Sequence, residues 1–396
     1  MNRVPNGGAL SAFRLDDAEL VVAGDPGGLL RQTAAAAAQV RMSVRAAEEA
    51  GLAPSRPRTI VVAATGASAW AGEVLAAIAG PQAPVQIVLV RGPQLPGWTG
   101  AADLVFAVSA SGKRQQTLSV AQEAARRGCE LIGVGPAGTP LAEITGQARG
   151  TFVPVTAGPA RSVLWGLTVP LLVTASALGV LRLDPAAYES AASVLEEVSH
   201  QCRPASESFV NPAKSLALDI AGTLPLIWGG SPLATVAARR FGSLLALNAK
   251  YPALPGSFPE VAFDQVAILD GPFAPSPAPL FPGAEDLDAL LEQDDDPADS
   301  EAGSAEPRLI LIADETAEYP AVTQARTGTM SLASDRGLLV SELVLDGGED
   351  PLRRLARITQ LLDYTSVYLA IACGVDPLAS AARGDLRDLA ERPEGP

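Results

Sequence analysis

The feature that most constrains this chain is a hydrophobic run that ends in hydroxyls. Leu104-Val105-Phe106-Ala107-Val108 is followed by Ser109-Ala110-Ser111-Gly112, and a helix-forming segment, Gln115 to Arg127, comes next. A continuous apolar run of this length reads as a strand buried on both faces, which requires helices above and below it. Where such a strand opens through Ser-x-Ser-Gly onto a helix, the free N–H groups and the helix dipole face an anion. Ser109 and Ser111 add donors, Gly112 permits close backbone approach, and Lys113 and Arg114 add positive charge. The pattern points to a bound phosphate. An ordinary βα turn with an N-cap serine is the alternative, and Lys113 and Arg114 also fit a solvated pair.

The rest of the chain repeats the strand–helix alternation. After a helix over Pro26–Gly51, strands are expected at Thr59–Ala63, Val85–Val90, Leu104–Val108, Glu130–Val134 and Thr151–Val155, with a helix at Ala69–Ala79 after the Gly66 turn. Helices over Arg161–Leu181 and Pro185–Gln201 follow. The pattern then recurs: a helix at Lys214–Ile220, a strand at Leu224–Trp228, and a helix at Pro232–Leu247. Further strands are expected at Val266–Leu269, Arg308–Ala313 and Leu338–Leu345, before a last long helix over Pro351–Cys373. Apolar strands alternating with helices imply an α/β fold with parallel sheets flanked by helices. The repeat is about half the chain long, so two similar domains are expected, over 26–183 and 184–390, with tails at 1–25 and 391–396. Ligands of such sheets sit at the carboxyl ends of the strands.

Composition narrows the function. A net charge of −15 argues against a nucleic-acid partner, because phosphate backbones need basic faces. Ten acidic and no basic residues fall in Ala284–Glu306, which reads as a solvated, disordered insertion in the second domain. Adjacent carboxylates there, without a glycine-turned loop, do not make a metal site, and no metal or organic cofactor is expected. Cys129, Cys202 and Cys373 lack metal-ligand spacing and read as free buried thiols, which fits a reducing cytoplasm. Met1–Gly8 lacks the apolar core of a signal peptide. The uncharged stretch Ser162–Leu181 is long enough to span a bilayer. Its Pro and Thr residues favour instead a helix buried between domains, and no membrane partner is expected.

With these pieces in order, the chain resembles the sugar isomerase (SIS) domain family, and within it the bifunctional phosphoglucose/phosphomannose isomerases. The family's Gly-Met-Gly-Gly-Ser-Ala loop appears as Ala64-Thr65-Gly66-Ala67-Ser68-Ala69, and its Ser-Tyr-Ser-Gly-Asn-Thr-Glu-Glu-Thr loop as Ser109 to Thr117. Its Pro-Arg appears as Ala160-Arg161, and its strand-Tyr-Gly as Ile227-Trp228-Gly229. Its Asp-Tyr-x-Ser-Val-Tyr-Leu-Ala survives as Asp363 to Ala370. The resemblance implies a substrate site formed by Gly66, Ser68, Ser109, Ser111, Gly112, Lys113, Arg114, Thr117 and Arg161. It also implies a hexose phosphate as ligand and a homodimer whose active sites draw a residue from the neighbouring subunit.

The departures fall on the chemistry. The family's general base, the Glu of Asn-Glu-Asn-Ala-Lys, aligns with Leu247. Its ring-opening His, in Pro-Glu-x-x-His-Asn, aligns with Phe263, and its C-terminal Lys with Arg387. Neither leucine nor phenylalanine moves a proton, and arginine is a poor acceptor. Glu260 and Asp264 are nearby substitutes, although each also reads as a helix cap, and Asp363 is a more distant one. His200, the chain's one histidine, lies outside these segments. Three readings follow: a hexose 6-phosphate binding protein with isomerisation weak or lost, an active isomerase with a relocated base, or a non-catalytic regulatory or structural partner.

Overall fold

The computed structural model describes residues 8–51, 56–275, 305–346 and 348–390. They form two compact units. The first comprises Gly27–Ser206 and Asp346–Tyr364, and the second the described residues of Met1–Pro26, Glu207–Leu345 and Thr365–Pro396.

The first unit is built on five parallel strands: β1 (Thr59–Ala63), β2 (Gln86–Val90), β3 (Leu104–Val108), β4 (Glu130–Gly135) and β5 (Thr151–Pro154). Their order is β2-β1-β3-β4-β5. Every residue of β1 and β3 is buried, as expected of strands covered on both faces. The chain steps outward from β1 to β2, then crosses back to the other side of β1, pairing Ala63 with Ala107. That reversal between β1 and β3 leaves a crevice at their carboxyl ends. The helix Leu164–Ala177 is buried at eleven of its fourteen positions and packs on helices Ala36–Glu49 and Trp70–Ala79. Its apolar circumference is therefore explained by cover within its own unit, where the sequence suggested burial between domains. Among the described residues, no helix is long and apolar enough to cross a membrane.

The second unit repeats the plan with β6 (Leu224–Gly229), β7 (Leu254–Ser257), β8 (Pro307–Ala313) and β9 (Leu339–Val344), all parallel in the order β7-β6-β8-β9. Two expectations are corrected here. Val266–Leu269 is not a strand but part of a 3-10 helix, Gln265–Asp270, capped by the Asp264 side chain. Gln265 accepts a hydrogen bond from the Trp228 indole at 2.8 Å, and Leu269 turns into the core. The strand beside β6 is instead Leu254-Pro255-Gly256-Ser257, whose Pro and Gly hid it and are tolerated because it is an edge strand.

Residues 8–24, read from sequence as tail, carry helices Gly8–Asp16 and Ala18–Gly24. They are held down: Leu15 and Val21 are buried, and the buried Lys214 ammonium donates to the Leu15 carbonyl at 2.6 Å beneath the Tyr368 ring. Burial pushes the Lys214 pKa down. The expected acidic insertion lies outside the described residues up to position 304, as does the 391–396 tail.

At the amino ends of the first sheet, the buried Asp103 carboxylate accepts from Arg58 Nε at 3.0 Å and Nη2 at 2.7 Å, and from the Gly100 amide at 2.8 Å. The Arg58 guanidinium holds the Asp103 pKa below the usual carboxylate range. A lowered folded pKa stabilises the fold above the unfolded value, ~3.9, and that contribution disappears as pH falls through the folded value. Asp103→Asn should therefore cost about 1–3 kcal/mol at neutral pH. It should also flatten the dependence of urea-unfolding midpoints on pH below about 4.

Candidate functional site

The loops after β1 and β3 bring together several of the residues singled out from the sequence. Two loops leave the strands side by side. After β1, Gly66 adopts φ +58° and opens a 3-10 turn, Gly66–Ala69, which delivers Ser68 into the interior. After β3 come Ser109, Ala110, Ser111 and Gly112. The Ser68 hydroxyl accepts from the Ala110 amide at 3.2 Å, joining the two loops. The buried Ser109 hydroxyl accepts from the Gly112 amide at 3.0 Å, and its Oγ lies 3.5 Å from Ser111 Oγ.

Gly112 is required by two constraints. Its φ is +63°, and a Cβ there would run into the Thr139 side chain, whose Cγ2 would lie at 2.8 Å. The adjoining Leu141 amide donates to the Gly112 carbonyl at 3.1 Å, tying the loop to the turn after β4.

The helix Gln115–Arg126 then begins with no side-chain cap at Arg114. The Ser-x-Ser segment is spent inside the loop and does not cap the helix, which answers the alternative raised from sequence. Thr117 lies in the first helical turn and is 1% exposed, and its hydroxyl has no hydrogen-bond partner. A buried hydroxyl left unpaired costs roughly 1–3 kcal/mol. It sits in the first turn of a helix whose start has no side-chain cap. The Thr65 hydroxyl, at the end of β1, is likewise buried and unpartnered, and sequence reasoning did not single it out. Lys113 and Arg114 are exposed on the loop. Arg161 is buried in the loop after β5, at the same edge of the sheet.

The positions aligned with proton-transfer groups lie in the second unit. The expected helix to Leu247 ends at Leu244 and continues as a π-helical turn, Leu245–Ala249, stopped by Lys250 at φ +56°. Leu247 is half-buried on that turn. The neighbouring Asn248 side chain donates to Ser366 at 2.8 Å, and Lys250 Nζ donates to the Asp376 carbonyl at 2.6 Å. Phe263 is 82% exposed. Glu260 and Asp264 are exposed, and Asp264 acts as the cap of the following 3-10 helix. Arg387 lies in the helix Ala381–Ala390, and its side chain is outside the described residues. Among the described residues no cluster of His, Cys, Asp or Glu is arranged to hold a metal.

Comparison with known proteins agrees with this architecture. Residues 209–389 match the family model of the bacterial phospho-glucose isomerase C-terminal SIS domain. A bifunctional phosphoglucose/phosphomannose isomerase of Caldicellulosiruptor bescii is 27% identical over 214 residues, 54% of this chain and 63% of that one. The aligned part thus spans less than two thirds of that relative's length. Among solved structures, a hypothetical protein from Thermus thermophilus superposes with a TM-score of 0.66 at 15% identity, over 97% of this chain and 93% of that one. A glucose-6-phosphate isomerase from Chlamydia trachomatis gives 0.60 at 12%, over 91% and 77%. The C-terminal domain of glucosamine-fructose-6-phosphate aminotransferase from Francisella tularensis gives 0.53 at 16%, over 88% and 96%. At these identities the structures establish the fold alone, and that fold hosts more than one reaction. The chain is an α/β protein whose residues 209–389 match a SIS-domain family model, and it resembles the bifunctional phosphoglucose/phosphomannose isomerases.

Gly112→Ala should destabilise the first unit by about 1–3 kcal/mol, since it combines backbone strain with a steric clash. Thr139→Ala in the same chain should recover only part of the steric loss, because the Cβ of residue 139 would still lie 2.5 Å from the new one. Urea-unfolding midpoints of the two single variants and the double variant would measure both terms.

Proposed function

We propose that the first unit binds the phosphate of a hexose 6-phosphate and that aldose–ketose isomerisation in this chain is weak or lost. The observation that carries the binding half is the buried, unpartnered Thr117 hydroxyl beneath an uncapped helix start and beside Ser109 and Ser111. A phosphate there would accept from the helix amides and the hydroxyls, with Lys113 and Arg114 at the mouth. Gly66, Ser68 and Arg161 complete the proposed binding set. Ligand at ~100-fold its dissociation constant should stabilise the fold by ~2.7 kcal/mol, and Ser111→Ala should weaken that effect. Unchanged melting temperatures in millimolar glucose, mannose and fructose 6-phosphates would defeat the proposal.

The catalytic half rests on what isomerisation demands. A proton must leave the carbon beside a carbonyl and return to its neighbour, and the sugar ring must first open. Both steps need groups that exchange protons near neutral pH. Leu247 and Phe263 have none, so no environment tunes them into service. Asp264 is engaged as a helix cap and Glu260 is exposed to water. In a coupled assay for fructose 6-phosphate, the wild-type chain should run at least ~10²-fold below ordinary enzyme rates. Leu247→Glu and Phe263→His should each do little alone, whereas the double variant should gain turnover. Wild-type turnover at ordinary rates would overturn this half, and Glu260→Gln and Asp264→Asn would then locate the base.

We also propose a cytoplasmic homodimer. The exposed Phe209 and Phe263 supply apolar surface for a second copy. Sedimentation should give a dimer, and a monomer at every concentration would refute it.

A further inference from the structure

The two units repeat one strand plan, and the loops at its carboxyl ends are lined differently. Strands β6, β7, β8 and β9 repeat β1, β2, β3 and β4 in order, direction and pairing. The loops after β6 and β8 therefore correspond to those after β1 and β3. By register Asp314 follows β8 as Ser109 follows β3, and Ser231, just after β6, caps the next helix. The helix Pro320–Asp335 takes the place of Gln115–Arg126.

In the second unit one carboxylate takes three of the donors at this place. Glu318 Oε1 accepts from the Asp314 amide at 2.9 Å. Its Oε2 accepts from the Thr323 hydroxyl at 3.2 Å and from Arg326 Nε at 3.1 Å. Thr323 sits in the first turn of its helix, as Thr117 does in the other unit. The Thr117 hydroxyl has no partner, whereas that of Thr323 has Glu318. Arg326 is 4% exposed and also pairs with Glu342. Gly230 has no Cβ because Glu318 fills that space: a methyl group there would collide with the carboxylate. Asp314 adds a second buried carboxylate, hydrogen-bonded to Ser231 at 2.7 Å.

We propose that Glu318 is a built-in anion that occupies the oxyanion cradle of the second unit, so that the chain has one phosphate site and a second, self-filled one. This rests on the reading of the Ser109–Thr117 loop as an oxyanion cradle. The chemistry it defines is that of a small carboxylate or phosphate held by a buried guanidinium, a helix-turn hydroxyl and a backbone amide. It follows that Glu318→Ala converts the closed cradle into one that accepts a soluble oxyanion.

The test is anion rescue. Glu318→Ala should lower the melting temperature. Formate or acetate at tens of millimolar should restore part of the loss, relative to chloride at equal ionic strength, and should not shift the wild type. In the Ser111→Ala/Glu318→Ala double variant, phosphate should again stabilise the fold, whereas Ser111→Ala alone should show little response. A folded Glu318→Ala protein that ignores formate, acetate and phosphate overturns the proposal. Should Glu318→Ala not fold, a tungstate soak of wild-type crystals decides: density beside Gly230 and Thr323 overturns it, and none there supports it. Formate rescue without tungstate at the Ser109 loop would keep the closed cradle and sink the sugar-phosphate reading instead.

Discussion

The first unit depends on the parallel pairing of β1 with β3. This pairing sets Ala63 opposite Ala107, so the next residues of both strands emerge together at one edge. Because the chain has already gone outward to β2, it must return across β1 to reach β3, and the connecting helices diverge at that point. A crevice follows from topology before any side chain is chosen. What the sequence adds is its lining: Ser68 from one loop, Ser109 and Ser111 from the other, and a helix that starts without a cap. The hydrogen bond from the Ala110 amide to Ser68 links the two loops across the crevice. Loss of register between β1 and β3 would therefore remove the fold of the loops and the site together.

Duplication turns this into an internal comparison. Four strands of each sheet follow the same order, so the loops that leave them can be compared residue by residue. In one crevice a threonine hydroxyl is buried without a partner; in the other the corresponding turn holds a threonine bonded to Glu318. A buried carboxylate needs donors and an opposite charge, and Glu318 finds both in Arg326. Removing one member of such a pair leaves the other charged and desolvated, which fixes Glu318 and Arg326 to each other.

Much of this was legible in the chain. The strands that are buried on both faces, β1, β3, β4, β6 and β8, announce themselves as apolar runs, and their alternation with helices gives the fold class. The edge strand β7 was not legible, because Leu-Pro-Gly-Ser carries no strand propensity and is held by pairing with β6 and packing on the helix Pro232–Leu244. Val266–Leu269 misled for the opposite reason: a short apolar run is ambiguous, and here the Asp264 cap and the Trp228–Gln265 bond settle it as a turn of helix. The N-terminal helices were hidden because their anchor, Lys214, lies about two hundred positions away in sequence. At the site, Ser-x-Ser-Gly was readable as a loop feeding a helix. The unpartnered state of Thr117 and Thr65 depends on three-dimensional packing and left no sequence signal. Glu318 could have been noticed by aligning the two halves at their strands, since it falls in the loop that matches the first unit's Ser109–Arg114 loop.

Electrostatics supply the remaining constraint. A chain of net charge −15 repels a phosphate dianion at long range. At physiological ionic strength that repulsion is screened beyond about 8 Å, so the outcome is decided by groups inside that radius. Around the first crevice those groups are amides at a helix start, hydroxyls, and the cations Lys113 and Arg114. Around the second they are Glu318, Asp314 and Glu342 against Arg326. The charged side chains on the two sets of loops therefore differ, although the strands beneath them are arranged alike. A phosphate-binding role is thus compatible with a strongly acidic chain provided it is confined to one loop, and the lining of that loop carries the selectivity.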